Sequence, residues 1–312
     1  MNKSSKLFGV GLAMLGAVSL CGISGAAVAG SITEPGELAG LALATPLPEG
    51  LYFVDTFSYG NFRGLAYNSS AAINVPVIAW STPWTFLGGH IYAYAAVPSV
   101  MIDANNYSAP ATVGGGNVSL NALYNPAAII GEAWDFGNGF SAGVGVGGYA
   151  PVNNILNQNF FTFNVRPSLA WSGDGWSLTA NTVFGVTGNN NGGNGNLYGK
   201  TSPNYFNYDL GAIKTIDKWS LGVVGFGSLD VSGVTSPYPL YPSYSRQSQF
   251  AAGLFAAYNF GPLTVQGYVT RDVFSNNYVN FYGDKVYATT AWLRVVAALW
   301  NPPPPAPLVA KY

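Results

Sequence analysis

The strongest constraint on the fold of this chain is a strict alternation of apolar and polar residues on both sides of a short turn. In residues 161–171, one face carries Phe161, Phe163, Val165, Pro167, Leu169 and Trp171, and the other carries Thr162, Asn164, Arg166, Ser168 and Ala170. This period of two predicts a β-strand with one apolar face. The Ser-Gly-Asp-Gly sequence at 172–175 can reverse the chain, because Gly and Asp tolerate positive φ. Residues 176–187 repeat the alternation, which predicts a β-hairpin whose apolar face needs either a core or a bilayer.

The composition favours the bilayer. Only 8% of the residues are charged, whereas soluble globular proteins average about 25%. After residue 29, no uninterrupted apolar run reaches the roughly 20 residues that a transmembrane helix needs. High apolar content without long apolar runs is typical of the alternating strands of a membrane β-barrel.

Residues 1–29 have the organisation of a secretory leader. Lys3 and Lys6 precede an apolar segment at 7–20, and the Ala-Val-Ala sequence at 27–29 is a small-residue cleavage site. A lipoprotein leader ending at Cys21 is the alternative, but Leu20 is larger than the residue that usually precedes such a cysteine. Cys21 is the only cysteine, so we expect the mature chain to lack disulfides and thiolate metal sites. Ten basic and thirteen acidic residues remain after cleavage, a balance that does not indicate a nucleic-acid partner.

The connections between the predicted strands alternate in length. Strands are predicted near 51–59, 71–80, 86–100, 123–136, 139–150, 160–172, 175–187, 204–216, 218–230, 247–260, 263–274 and 285–300. The short connections are 81–85, 137–138, 172–174, 217 and 261–262, and the long ones are 60–70, 101–122, 151–159, 188–203, 231–246 and 275–284. Outer-membrane barrels have short periplasmic turns, long external loops and an even strand number. We therefore predict an all-β, transmembrane, antiparallel up-and-down barrel of about twelve strands, with both termini in the periplasm.

Tryptophans support this orientation. Trp80, Trp84, Trp134, Trp171, Trp176 and Trp219 flank short connections, Trp300 ends the last strand, and Trp292 alone lies elsewhere. Indoles favour the membrane interface, because they combine an apolar body with a polar N–H. The placement therefore predicts an aromatic girdle at one interface.

The chain divides into a leader at 1–29, an N-terminal arm at 30–50, a barrel at 51–300 and a proline-rich tail at 301–312. The arm has no clear alternation and is predicted to be mostly irregular. A twelve-stranded barrel is intermediate between a filled eight-stranded one and an open porin. Such a lumen could need a plug, and residues 38–48 of the arm are candidates. The tail is predicted to extend into the periplasm in polyproline conformation, because prolines cannot join a sheet ladder.

Few residues in the chain suggest catalysis or cofactor binding. Residues 143–148 match the GxGxxG spacing, but no helix pattern follows, so glycines that give strand twist and room in the lumen explain them better. His90 is the only histidine, which excludes multi-histidine metal sites. A Ser-His hydrolase on the barrel would need a serine beside His90, and no lipase signature surrounds it. We expect no catalytic residue, no cofactor and no metal.

Residues predicted to face the lumen define a candidate substrate path. The aromatic members are Tyr92, Tyr94, Tyr149, Phe255 and Tyr268, and the polar members are Asn164, Arg166, Asp209, Gln266 and Arg294. The alternation along 263–270 also predicts that Val265 faces lipid. The external loop at 231–246 carries Tyr238, Tyr241 and Tyr244, which could capture apolar molecules, rest on lipopolysaccharide or cap the barrel. An equally simple interpretation is that the aromatic side chains only fill a narrow lumen.

Residues 43–53, LATPLPEGLYF, resemble the start of the outer-membrane transporter family named for the phenol meta-cleavage pathway. In that family a Pro/Gly-rich arm leads into a "GLY" first strand. The hairpins at 163–186, 208–229 and 251–269 extend the resemblance over most of residues 40–300, although the proline-rich tail departs from the usual ending. The resemblance implies a barrel that admits hydrophobic compounds, and it supplies no catalytic residues.

These patterns predict an outer-membrane channel of a Gram-negative bacterium for uptake of small hydrophobic or aromatic compounds. The expected partners are outer-membrane lipid, lipopolysaccharide, the assembly machinery of the outer membrane and the transported solute, and nucleic acid is not expected. The main alternative is a structural or adhesive barrel with a filled lumen, and a barrel hydrolase is a more distant one. An open lumen would favour transport, whereas a packed lumen would favour the structural role.

Overall fold

A computed structural model describes residues 31–63, 68–106, 116–154, 159–191, 198–199, 202–233, 246–276, 278–279 and 284–302. The predicted leader, residues 303–312 of the tail and the loop tyrosines Tyr238, Tyr241 and Tyr244 lie outside the described residues. The described part of the chain contains no helix that is long and apolar enough to cross a membrane.

The described residues form eighteen strands. They are β1 (Gly50–Arg63), β2 (Asn68–Phe86), β3 (Gly89–Ala96), β4 (Ser99–Asn106), β5 (Gly116–Leu123), β6 (Ala127–Gly137), β7 (Phe140–Tyr149), β8 (Thr162–Gly173), β9 (Trp176–Thr187), β10 (Asn190–Asn191), β11 (Tyr198–Gly199), β12 (Tyr205–Ile216), β13 (Trp219–Asp230), β14 (Ser248–Asn259), β15 (Leu263–Ser275), β16 (Tyr278–Val279), β17 (Asp284–Lys285) and β18 (Tyr287–Trp300).

Twelve of these strands close into a ring. Its order is β1, β18, β15, β14, β13, β12, β9, β8, β7, β6, β3 and β2, and β2 pairs again with β1. Every pairing in the ring is antiparallel, from Arg63↔Tyr287 at the closure of β1 on β18 to the hairpin of β8 with β9. The predicted all-β antiparallel barrel of about twelve strands is therefore confirmed. The short pairs β10–β11 and β16–β17 form separate two-stranded sheets.

Residues in the left-handed backbone conformation form the tight turns between ring strands. Asn138, Asp174 and Asp217 have φ values of 53°, 50° and 54°, and each begins or continues a short connection. One predicted turn is wrong: β2 continues through 81–85 and turns instead at Leu87 and Gly88, whose φ values are 45° and 85°. The cause is a register shift between Ser81 and Thr85, which interrupts the alternation without ending the strand.

The predicted long connection at 101–122 also needs correction, because it contains most of β4 and β5. These strands pair with each other, and β4 pairs with Asn68–Asn74 of β2, so they extend the wall beyond the ring. The ladder breaks at Pro98 and again at Pro126, between β3 and β4 and between β5 and β6. Proline cannot donate a ladder hydrogen bond, which explains why both strands are interrupted there.

The two faces of the wall differ in chemistry. Outward side chains are large and apolar, with Leu254 on β14 exposed to 74%, Leu169 on β8 and Val269 on β15 also exposed. Inward side chains include Asn164, Asn181, Asn207 and Arg294, which are all buried. An apolar outside with a polar inside is the pattern of a membrane barrel rather than of a soluble one.

The tryptophans follow the same division. Trp80, Trp84, Trp176, Trp219 and Trp300 are exposed at the end of the barrel that carries the short turns. Trp292 is buried and faces the lumen from β18, one residue before the exposed Leu293. Trp292, the exception in the tryptophan pattern, is therefore a lumen residue. The five exposed tryptophans form an interfacial belt.

Candidate functional site

The N-terminal arm crosses the lumen. Its residues 31–50 form turns closed by backbone bonds such as Ala39 N to Gly36 O at 3.1 Å. Ser58 on β1 donates to Glu34 Oε1 at 2.6 Å, while Asn181 on β9 donates to the carbonyl of Leu38 at 2.9 Å. β1 and β9 are six strands apart in the ring of twelve, so the arm contacts opposite walls.

Arg294 is the most completely bonded anchor of the arm. Its guanidinium is fully buried and donates to the carbonyls of Ala39 at 2.9 Å and Glu37 at 2.6 Å. The wall side chains of Thr56, Gln266 and Tyr268 accept its remaining hydrogen bonds, at 3.0, 2.9 and 2.8 Å. All three nitrogens of the guanidinium therefore have neutral oxygen partners, which offsets the burial of its charge.

Asp209 holds the same turn from β12. Its two carboxylate oxygens accept the backbone N–H groups of Gly36 and Leu38, both at 2.9 Å. Tyr268 on β15 donates to the Gly36 carbonyl at 2.9 Å. Because the arm has no ladder of its own, these side chains satisfy backbone groups that would otherwise be buried without partners.

Aromatic rings enclose the turn at Gly36. Trp292 stacks on Tyr268 with ring centroids 5.1 Å apart, Phe226 meets Trp292 edge-on at 5.8 Å, and Phe255 stacks on Tyr268 at 6.0 Å. Gly36 has φ of 98°, and a Cβ there would lie 2.7 Å from Phe226 and 2.8 Å from Trp292. Both the backbone conformation and the rings therefore require glycine at this position.

We predict that Gly36→Ala weakens docking of the arm by about 1 kcal/mol or more, because the left-handed conformation and the close rings both oppose a Cβ. The matched control is Gly261→Ala, since Gly261 has a φ of 100° but open space around its Cβ direction. Tryptophan fluorescence from the Trp292 environment would report the change. A spectral shift of equal size in both variants would contradict a specific contact between Gly36 and the rings.

A second polar cluster surrounds Arg166 on β8. The guanidinium is 5% exposed and lies 3.5 Å from the Glu37 carboxylate of the arm. It donates to the hydroxyls of Tyr94 at 2.9 Å and Tyr149 at 3.1 Å, and to the Asn164 side-chain oxygen at 3.0 Å. The contact with Glu37 is the one ion pair among the described residues.

Glu34 is a second carboxyl of the arm that faces the lumen, and it lies outside the membrane-spanning strands; the residue is half-buried and its Oε2 atom is buried. Burial raises the pKa of Glu34 from its ordinary value of 4.5 to about 8, with a smaller lowering effect from the Ser58 hydroxyl and raising effects from Glu37 and Asp209. Its Oε2 has no hydrogen-bond partner among the described residues. Glu34 is therefore expected to dock in its neutral form at neutral pH.

Docking of the arm should consequently weaken as the pH rises. A docked Glu34 keeps its proton up to pH about 8, whereas a released Glu34 loses it near 4.5, so docking is strongest below 4.5 and weakens up to about 8. In Glu34→Gln, docking of the arm should no longer depend on pH in this interval when arm release is followed by tryptophan fluorescence. A pH dependence that survives unchanged in Glu34→Gln would assign the titration to another group.

The sequence-predicted lumen residues fall into two groups. Tyr94, Tyr149 and Asn164 accept hydrogen bonds from Arg166, and Tyr92 stacks on Tyr94. The second group lies around residues 36–40 of the arm and comprises Asp209, Phe255, Gln266, Tyr268 and Arg294. Tyr92 and Tyr94 stack with centroids 6.4 Å apart, and the Tyr92 ring fits against Gly131 and Gly145. Val265 lies four residues before the outward-facing Val269 in β15, so both lie on the same face of the strand. His90 is exposed beside the β2–β3 turn, away from both groups.

Several lumen residues were not selected from the sequence. They are Thr33, Glu34 and Glu37 on the arm, and Asn181, Tyr205, Asn207, Phe226 and Trp292 on the wall. Trp292 carried a signal, because it was the tryptophan outside the girdle pattern. Glu34 and Glu37 are two of three glutamates in the arm, and their partners on distant strands carry no local signal.

Comparisons with known proteins agree with this architecture. A family model described as "Putative MetA-pathway of phenol degradation" matches residues 55–289. The COG4313 outer membrane channel from Pseudomonas putida F1 superposes with a TM-score of 0.66 at 11% identity, over 85% of this chain and 99% of that one. At this identity the similarity establishes a shared fold.

Two further solved structures are less similar. The transport unit of the autotransporter AIDA-I from Escherichia coli gives a TM-score of 0.49 at 10% identity, over 88% of this chain and 98% of that one. The toluene transporter TodX of Pseudomonas putida gives 0.46 at 9% identity, over 86% and 96%. Both scores are too low to establish a shared fold. A search of curated proteins finds no match.

Proposed function

Because this chain belongs to the family described as "Putative MetA-pathway of phenol degradation", we propose that it is an outer-membrane channel for small hydrophobic or aromatic compounds. The family model covers residues 55–289. The proposal places it in the outer membrane of a Gram-negative bacterium. The observation that carries it is a closed ring of twelve antiparallel strands with an apolar outer face. The fold that it shares with the COG4313 outer membrane channel of Pseudomonas putida F1 supports the same location and a transport role.

The chemistry of the lumen suits aromatic solutes. Tyr92, Tyr94, Tyr149, Phe255 and Tyr268 present rings from four different strands of the wall. A tyrosine offers a flat apolar face together with a hydroxyl that can bond a phenol. Several weak contacts in succession allow a solute to enter and still leave. We propose that these rings line the path once the arm has moved.

The arm is proposed to be the gate of this path. It contacts opposite walls and buries Phe255 and Tyr268, so a solute cannot pass those rings while it is docked. Its anchors are hydrogen bonds rather than covalent links, and its pH-sensitive Glu34 lies among them. We propose that the protein has no catalytic role and that lipid, lipopolysaccharide and the assembly machinery are its other partners.

A structural barrel with a filled lumen is the second candidate. It is favoured by the same arm, because Arg294, Asn164 and Tyr205 are fully buried behind it. A permanently filled barrel would use these bonds for stability alone. The two candidates differ in whether the arm ever leaves.

Uptake by whole cells distinguishes them. Initial entry of labelled toluene and of a small sugar would be measured in cells with and without the protein. A channel of the proposed kind accelerates toluene entry and leaves sugar entry unchanged. Equal acceleration of both solutes would indicate a general pore, and acceleration of neither would favour the structural barrel.

A further inference from the structure

The Arg166 guanidinium is buried but incompletely bonded. Its Nε has no hydrogen-bond partner among the described residues. Its carboxylate partner, Glu37 Oε1, lies 3.5 Å from Nη1, whereas a well-formed charge-assisted bond of this kind measures about 2.7–2.9 Å. An arginine can present two parallel donors to one carboxylate, and Glu37 uses this capacity poorly.

Arg294 shows what complete bonding looks like in the same lumen. All of its nitrogens donate, at distances from 2.6 to 3.0 Å, and its acceptors are two arm carbonyls and three wall side chains. Arg294 is therefore suited to hold the backbone of the arm. Arg166 instead has one nitrogen without an acceptor, and its carboxylate partner lies at the limit of hydrogen-bonding distance, which suits a site for an exchangeable anion.

The surroundings of Arg166 define the chemistry of that anion. The rings of Tyr94 and Tyr149 lie 5.9 and 5.8 Å from its Cζ atom and provide flat apolar walls. Their hydroxyls and the Asn164 side-chain oxygen accept hydrogen bonds from Nη1 and Nη2, so these wall residues hold the guanidinium in place. A carboxylate attached to an aromatic ring could form an ion pair with the guanidinium and pack its ring against the two tyrosine rings.

We propose that Glu37 is an internal substitute for the carboxylate of an aromatic acid of the benzoate class, and that such a solute replaces Glu37 on Arg166 when the arm is displaced. The inference rests on the proposed channel function and names one of its solute classes. The exchange keeps Arg166 paired throughout.

The test is benzoate binding to the purified full chain by isothermal titration calorimetry. Glu37→Gln removes the competing carboxylate and should bind benzoate about tenfold more tightly than the unchanged protein, since the fraction of accessible Arg166 rises. Arg166→Met should show no binding. Arg166→Lys keeps the charge but lacks the two-donor fork, so its binding should be intermediate.

The matched control is Glu34→Gln, which removes the other arm carboxylate without touching Arg166. It should not tighten benzoate binding, because a glutamine cannot ionise on release and therefore does not favour displacement of the arm. The inference is wrong if Glu34→Gln tightens binding as much as Glu37→Gln does, or if Glu37→Gln does not tighten it. It is also wrong if both Arg166 variants bind benzoate as the unchanged protein does. Heat-modifiable gel mobility verifies that each variant is a folded barrel.

Toluene separates this inference from the proposed function. Toluene has no carboxylate, so its accelerated entry into cells does not depend on anion exchange at Arg166. If toluene entry is accelerated but substitution of Arg166 does not change benzoate affinity, the inference is wrong and the proposed channel function is retained. If toluene entry is not accelerated, the channel function itself fails.

Discussion

Replacing Arg294 with methionine should release the arm and weaken its docking by about 2–6 kcal/mol, because each of the two arm carbonyls left without its donor costs about 1–3 kcal/mol. Two arm carbonyls, those of Glu37 and Ala39, would lose a charged donor while still buried. Asp209 would also lose a nearby positive charge. The effect should fall on the arm rather than on the wall, because the ring of strands closes without it.

Release can be measured with a glutamate-specific protease. Glu37 is buried in the docked arm, so cleavage after it requires undocking. The control is Arg271→Met, which removes an exposed arginine from β15, the strand that carries Tyr268. Rapid cleavage of Arg294→Met with slow cleavage of Arg271→Met is the expected result. Equal protection of both variants would show that Arg294 does not hold the arm.

Leu254→Arg should destabilise the folded barrel by about 2–4 kcal/mol, the range for an arginine on the lipid face near the bilayer midplane. Leu254 lies in the middle of β14 opposite Val223 and Val269, and its side chain is exposed to 74%. The measurement is the free energy of unfolding in a reversible assay in lipid. Val231→Arg, just beyond the end of β13, should cost only about 0–1 kcal/mol. Similar values for both variants would contradict the assignment of the lipid-facing band.

The wall of the barrel could be predicted because its information is local. Along 161–171 and 176–181 apolar and polar residues largely alternate, and the turn residues Asp174 and Gly175 adopt the positive φ that their types allow. The error at 81–85 arose where this local signal fails. There Thr82 donates its hydroxyl hydrogen to the Ile91 carbonyl at 2.8 Å, and the ladder shifts register while the strand continues.

The arm could not be predicted in the same way, because its contacts are distant in sequence. Gly36 bonds Asp209, which is 173 residues away, and the Glu37 carbonyl bonds Arg294, 257 residues away. The alternation places Asp209 and Arg294 on the polar face of their strands. The alternation does not indicate which backbone atoms of the arm Asp209 and Arg294 bind, because every residue of the arm other than proline offers both an N–H and a carbonyl.

The most direct test of a gated aromatic path is a reversible lock on the arm. A Cβ at Gly143 on β7 would lie 3.3 Å from the Ala44 Cα, so the two positions are adjacent and a disulfide between cysteines placed there would tie the arm to the wall. With Cys21→Ala the pair contains the only cysteines in the chain. Uptake of labelled toluene by cells carrying Ala44→Cys and Gly143→Cys should stop under oxidising conditions and return on reduction, while the single variants transport under both. Undiminished toluene uptake with the disulfide formed would contradict the gate.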